Sequence, residues 1–257
     1  MLCVEMGPGA PHRGEAAERA VGVDELRRDE AVGALRDCYT AISRQVQAIG
    51  AALETTPTRC AGWTAADLLF HLLLDTQRAL VAMAAPAEGD PDTDAVTYWE
   101  PWQPGSNRSV EHLRFVRRSA AAYRAPGGLV AQWDETSDAV VRLATWVPHE
   151  LITTQGRLLT LPDFLETLVV EAALHLLDFA LDTGPGAGTA TGGGSLLRVP
   201  PQAEQILRFT LDGLLGMAPP SRWDLEGYAL RAAGRRPLTD SDRRALGWLA
   251  DRFPLLG

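Results

Sequence analysis

From Leu68 to Leu74 the chain reads Leu-Leu-Phe-His-Leu-Leu-Leu, apolar on every side of a helix except for one imidazole. A helix that is hydrophobic all round has to be enclosed by other elements, so this run demands a central helix in a helical bundle. Thr64 is placed to cap it, with Asp67 three residues later as a carboxylate form of the capping box. A second stretch carries Phe164, Leu168, Glu171, His175, Asp178 and Leu181 at steps of four, three, four, three and three. That spacing is one continuous inward stripe, and three of its members are polar. The spacing predicts a helix from Pro162-Asp163 to Thr183-Gly184, with Gly184 taking the left-handed position that ends it.

Around these two helices the pattern is helical almost throughout. Leu35, Tyr39, Ile42, Val46, Ile49 and Leu53 form the seam of a first helix, expected over residues 30–53. Two more helices are expected over 109–124, with Val110, Leu113, Val116, Ala120 and Tyr123 on one face, and over 129–146, separated by Ala125-Pro126-Gly127-Gly128. The four prolines between Ala84 and Asn107 exclude a single helix there and predict a long loop over the mouth of a pocket. Residues 147–160 are β-rich around Gly156 and predict a short hairpin. The expected fold is therefore mainly α: an up-down four-helix bundle over 30–185, with a short β-hairpin before its last helix. A flexible tail over 1–29, a Gly-rich linker over 186–199 and a small helical C-terminal extension over 200–257 complete the division. The extension has one helical pattern after Pro200 and another from Thr239, capped with Asp242.

The polar residues of the stripe raise a question of desolvation. A carboxylate inside a bundle costs several kcal/mol, of order, unless it is paired or bound to a cation, and a neutral histidine one turn away does not neutralise it. A divalent metal does. Glu171 and His175 lie one above the other on a helix face, and His71 can reach the same ion from the other helix. Two histidines and a carboxylate suit zinc and leave a coordination position open, which points to a catalytic site; iron, nickel and manganese accept the same donors. His112, between Glu111 and Arg114, His149, beside a turn proline, and His12, in the tail, are expected in solvent.

Acidic residues outnumber basic ones, 33 to 24, and no basic face appears, so a nucleic-acid or membrane-surface binder is not expected. Three cysteines without paired spacing argue for a reducing compartment, and Cys38 reads as a core thiol. No apolar span or signal peptide is apparent, which makes a cytoplasmic protein, monomeric or homodimeric, the expectation.

The segment Gly62-Trp63-Thr64, then Asp67-Leu68 and His71, resembles the signature of the mycothiol-dependent maleylpyruvate isomerase N-terminal domain, a branch of the DinB/YfiT-like superfamily. Glu171, His175 and Asp178 are similar to the family's second signature. The resemblance spans about residues 30–185. It implies a DinB-like bundle with His71, Glu171 and His175 as metal ligands and Asp178 as a partner that orients one of them. It also implies a chemistry, in which the metal lowers the pKa of a low-molecular-weight thiol such as mycothiol, and the thiolate attacks an electrophilic small molecule. Relatives carry a larger mixed α/β C-terminal domain with a functionally important arginine, whereas this extension is shorter; Gly234-Arg235 resembles the Gly-Arg element near the end of many relatives. Two other readings stand beside a thiol transferase or isomerase. One is a metal-dependent hydrolase or lyase using activated water. The other is a non-catalytic bundle that binds a small ligand or a partner protein, in which Glu171 would pair with an arginine such as Arg78 or with another local donor.

Overall fold

A computed structural model describes residues 13–100, 107–179 and 198–256, with side chains described from 22, 110 and 198 onward in those segments. The elements run α1 (Arg13–Ile49), α2 (Ala65–Met83), α3 (Asn107–Ala120), α4 (Pro126–Ala144), β1 (Leu151–Thr154), β2 (Arg157–Thr160), α5 (Leu161–Asp178), α6 (Pro201–Leu215), α7 (Leu225–Ala232) and α8 (Asp240–Leu246). The mainly α expectation and the single hairpin both hold.

Four helices close the bundle as a ring. α1 packs on α4 and α5, and α2 packs on the same two, so the sequence neighbours α1 and α2 face each other across the core. The seam explains this: Leu35, Ile42 and Val46 of α1 and Leu68, Leu69 and Leu73 of α2 are all fully buried. Thr64 and Asp67 form the expected reciprocal cap, with the Asp67 N–H donating to the Thr64 hydroxyl at 3.2 Å and the Thr64 N–H to the Asp67 carboxylate at 2.9 Å. This cap fixes the first turn of α2 and, with it, the direction in which His71 points one turn later.

Two boundaries, the start of α1 and the end of α5, differ from the sequence reading. α1 begins at Arg13, so the residues read as the second half of a loose tail are helical. Further along that stretch Arg27 donates to Asp163 at 2.8 Å and Glu166 at 3.1 Å on α5, and Arg28 donates to the last helical carbonyl of α4, Ala144, at 2.7 Å. The expected face of α3 is buried at Val116 and Ala120 and half-buried at Leu113, and of the expected stripe Val110, near the start of the helix, is exposed. α5 ends at Asp178, with Phe179 as its C-cap residue; Leu181, Thr183-Gly184 and most of the expected linker lie outside the described residues.

The hairpin pairs Leu151 with Thr160 and Thr154 with Arg157, leaving Gln155-Gly156 as a two-residue turn with φ of 51° and 78°. Positive φ at both positions is the type I′ geometry that matches strand twist. Thr160 ends β2 and at once caps α5, its hydroxyl accepting from the Asp163 N–H at 3.2 Å. The expected loop before α3 crosses the hairpin, with Asp92 N–H donating to Leu158 O at 3.0 Å, and contains a 3-10 turn, Thr97–Trp99, with Trp99 buried. It also crosses α6, where a side chain on Gly213 would meet Val96 at 2.9 Å, too close for any methyl group.

The C-terminal helices are part of the same core. α6 packs on α1 and α5, and the short α7, unforeseen in the sequence, packs on α5 and α6. Asp242 ties this region together: capped against Thr239, it accepts from Arg222 at 2.5 Å, the Trp223 indole at 2.8 Å and Arg231 at 3.1 Å. Among the described residues, no helix is long and apolar enough to cross a membrane.

Candidate metal centre

α2 and α5 bring His71, Glu171 and His175 together. His71 Nε2 lies 2.8 Å from Glu171 Oε1, and His175 Nε2 lies 3.3 Å from the same oxygen. The two imidazole rings are edge to face with centroids 4.8 Å apart. The three ligand atoms thus lie within 4.8 Å of one another, the convergence that a single ion needs.

The other nitrogen of each ring is held from behind. His175 Nδ1 is 2.9 Å from Asp178 Oδ2, and His71 Nδ1 is 3.1 Å from His112 Nε2. A ring whose Nδ1–H is given to a neighbour turns its Nε2 lone pair toward the metal point, the arrangement common to metal-binding histidines. The charges suit the same purpose. Burial pushes the Glu171 carboxyl up, but His175 and His71 outweigh burial and hold it well below the usual range. Burial works the other way on His175, yet Glu171 and Asp178 raise it well above the ordinary imidazole value. Between these groups the structure demands one positive charge, which protons or a metal can supply in competition. The donor set and its supports therefore fit a divalent ion.

Three residues that sequence reasoning placed elsewhere, or did not place, belong here. His112 is half-buried against His71 instead of standing in solvent, with Trp63 beside both rings at 5.2 and 6.5 Å. The signal was its position one turn before the buried Val116. Asp75, one turn after His71, lies 3.8 Å from His71 Nε2, the same i,i+4 relation that marks Glu171 and His175. Burial, reinforced by Glu171, pushes its carboxyl up to about 6, and Arg78 holds it at 2.7 Å. Arg78 therefore pairs with Asp75, while Glu171 has the two histidines as its local partners. His149 is half-buried, its Nε2 without a partner among the described residues, and His12 lies outside them.

The third is Cys60, behind His175. Its thiol donates to Asp178 Oδ2 at 3.1 Å and lies 3.9 Å from His175 Nδ1. Burial raises it above the ordinary thiol value, so it is a poor nucleophile. Arg235 closes this side: its Nε and Nη2 donate to the two Asp178 oxygens at 3.0 and 3.2 Å, and Nη2 reaches Cys60 Sγ at 3.3 Å. Arg235 is thus a partner of Asp178. Gly234, at φ 70°, makes the turn after α7 that delivers it. Cys38, the other described free cysteine, is buried in the core as expected.

The metal-side residues open into a cavity of about 130 Å³, lined by Asp75, Arg78, Tyr98, Trp99, Gln155 and Phe164 among others. Trp99 and Tyr98 come from the segment expected to shape the pocket.

The profile of the family described as mycothiol maleylpyruvate isomerase N-terminal domain matches residues 35–180. Two solved structures share the fold. The crystal structure of the mycothiol-dependent maleylpyruvate isomerase aligns with a TM-score of 0.54 at 17% identity, over 81% of this chain and 90% of that one. A histidine-to-alanine mutant of that enzyme aligns with a TM-score of 0.53 at 16% identity, over the same shares. That coverage reaches past residue 180, so the likeness of fold extends into the C-terminal helices. No curated protein matches the chain.

Proposed function

Because the chain belongs to the mycothiol maleylpyruvate isomerase N-terminal domain family, we propose that it is a metal-dependent thiol S-transferase or isomerase. It would use mycothiol or a similar low-molecular-weight thiol to attack an electrophilic small molecule. The observation that carries this reading is the convergence of His71, Glu171 and His175 on one wall of a small cavity, with the Nδ1 atom of both histidines already engaged.

A divalent ion, zinc by its donor set, held there would supply the Lewis acidity that makes a thiolate available near neutral pH. The chain's own groups do the rest. Glu171 provides the negative charge that retains the cation, and Asp178 and His112 keep the two imidazoles aimed. Arg78 compensates Asp75, so the cavity does not carry two uncompensated carboxylates beside the thiol. Trp63, Trp99 and Phe164 wall the site with apolar surface and limit water, which favours attack by the thiol over hydrolysis. Cys60 stands behind His175 and is buried, so the attacking sulfur is the co-substrate's. The free buried cysteines and the thiol co-substrate accord with a cytoplasmic setting.

The test is turnover of maleylpyruvate by the metal-loaded full chain with and without mycothiol. Isomerisation or S-conjugation that needs the thiol is the expected result. Equal turnover without thiol would replace this reading with activated water.

A further inference from the structure

A second hollow lies between α1, the start of α5, α6 and the loop before α3, and shares no lining residue with the metal-side cavity. It encloses about 460 Å³, within the roughly 300–1,000 Å³ of small-molecule sites. Its walls are of two kinds. One is apolar: Val96 and Ile206 are half-buried, and the ring of Phe209, on α6, is 64% exposed. The other is acidic: Glu30, Asp94, Asp163 and Glu166 share the lining with one cation, Arg27, which leaves an excess of three negative charges.

Glu166 is the carboxylate that this balance serves worst. It is 7% exposed, yet both contacts from Arg27, Nε at 3.1 Å and Nη2 at 2.9 Å, fall on the same oxygen, Oε1. Oε2 has no hydrogen-bond partner among the described residues. Asp163, by contrast, divides its two oxygens between Arg27 and the Thr160 hydroxyl, and Asp94 Oδ1 accepts from the N–H groups of Val96 and Thr97. Burial pushes the Glu166 carboxyl above its ordinary value, Asp163 and Glu30 add to the push, and Arg27 does not offset them. A buried carboxylate with half of its accepting capacity unused is costly, and a cation entering the hollow removes that cost.

Spacing decides the kind of cation. His71, Glu171 and His175 bring three donor atoms within 4.8 Å of one another, and no three of these carboxylates do so among the described residues. A bare metal ion needs such convergence. An ammonium group on a carbon frame does not: one N–H can donate to Glu166 Oε2 while the frame covers Val96 and Ile206 and the charge lies near the face of Phe209.

We propose that this hollow is a second ligand site, for a small organic ammonium ion with an apolar body, held by Glu166 and Phe209. It stands apart from the metal centre, and no step of the thiol reaction enters the argument.

The test is calorimetric titration of phenethylamine into the zinc-loaded full chain, with phenethyl alcohol as its uncharged counterpart of similar shape. The amine is expected to bind and the alcohol to bind at least tenfold more weakly. Binding of the amine should weaken about tenfold in Glu166→Gln, the effect of one charge-assisted hydrogen bond, and severalfold in Phe209→Ser, with zinc content as in the wild type. Phe209 is exposed, so its replacement leaves the fold intact and decides the matter if Glu166→Gln melts early. No binding of the amine, binding of the alcohol as tight as that of the amine, or undiminished amine binding in either folded variant would overturn the proposal.

Discussion

His175 stands between two sets of groups that both have the donors and distances for a metal. On the cavity side are His71 and Glu171; on the other are Cys60 and Asp178. The difference is in charge. Asp178 already has its cation, with both oxygens taken by the Arg235 guanidinium, while Glu171 sits between two imidazoles. Donor type and spacing therefore do not distinguish an ion site from its support. The resident cation does: where an arginine fills the place, the carboxylate orients a ligand, and where none does, the carboxylate is free to be one.

The comparison is broken most forcefully at Glu171. In Glu171→Ala the cavity-side set loses the carboxylate that lies between the two imidazoles, so stoichiometric metal, measured by elemental analysis, and thiol-dependent turnover should both be lost. Retention of a full equivalent of metal would mean that the other set holds it. Asp178→Asn comes next, because it keeps the shape but weakens the grip on His175 Nδ1; metal affinity by chelator competition should fall roughly 10–100-fold. Arg235→Met should cost roughly tenfold. Since Arg235 acts through Asp178, the double variant should be little worse than Asp178→Asn alone, whereas additive losses would show two independent roles.

Stability of the C-terminal helices sharpens the same contrast, since they deliver Arg235. Burial works against the charge on Asp242, but Thr239, Trp223 and Arg222 hold its carboxyl well below the usual range. A folded-state value that is depressed contributes stability above the unfolded pKa of about 3.9, and that contribution is lost as pH falls below it. Asp242→Asn should therefore destabilise the protein by about 3 kcal/mol near neutrality, a drop of roughly 6–12 °C in Tm. The gap between variant and wild type should close as pH is lowered through the acid range. The smallest effect is expected for Cys60→Ser, which keeps a donor to Asp178: metal-binding free energy should change by less than about 1 kcal/mol. A large loss would make the thiol a ligand.

How far the sequence revealed this arrangement follows the range of the forces involved. Caps are local, so the Thr64–Asp67 and Thr239–Asp242 pairs were legible, as were the seams of α1 and α2 and the triad His71, Glu171 and His175. The part of α1 before residue 30 was not, because the contacts of Arg27 and Arg28 with residues on α5 and α4 leave no periodic trace. His112 was misplaced because its charged neighbours suggested solvent, although it lies one turn before Val116 on the face that the expected stripe buries. Cys60 and Arg235 carried no signal of their common position, since Asp178 joins two segments far apart in the chain.

The most direct measurement is an anomalous difference map from a crystal of the zinc-loaded protein, recorded above and below the zinc edge. The account predicts one peak, between His71 Nε2, Glu171 and His175 Nε2, with Arg235 still on Asp178. A peak between Cys60, Asp178 and His175 Nδ1, or no peak at the first position, would contradict it.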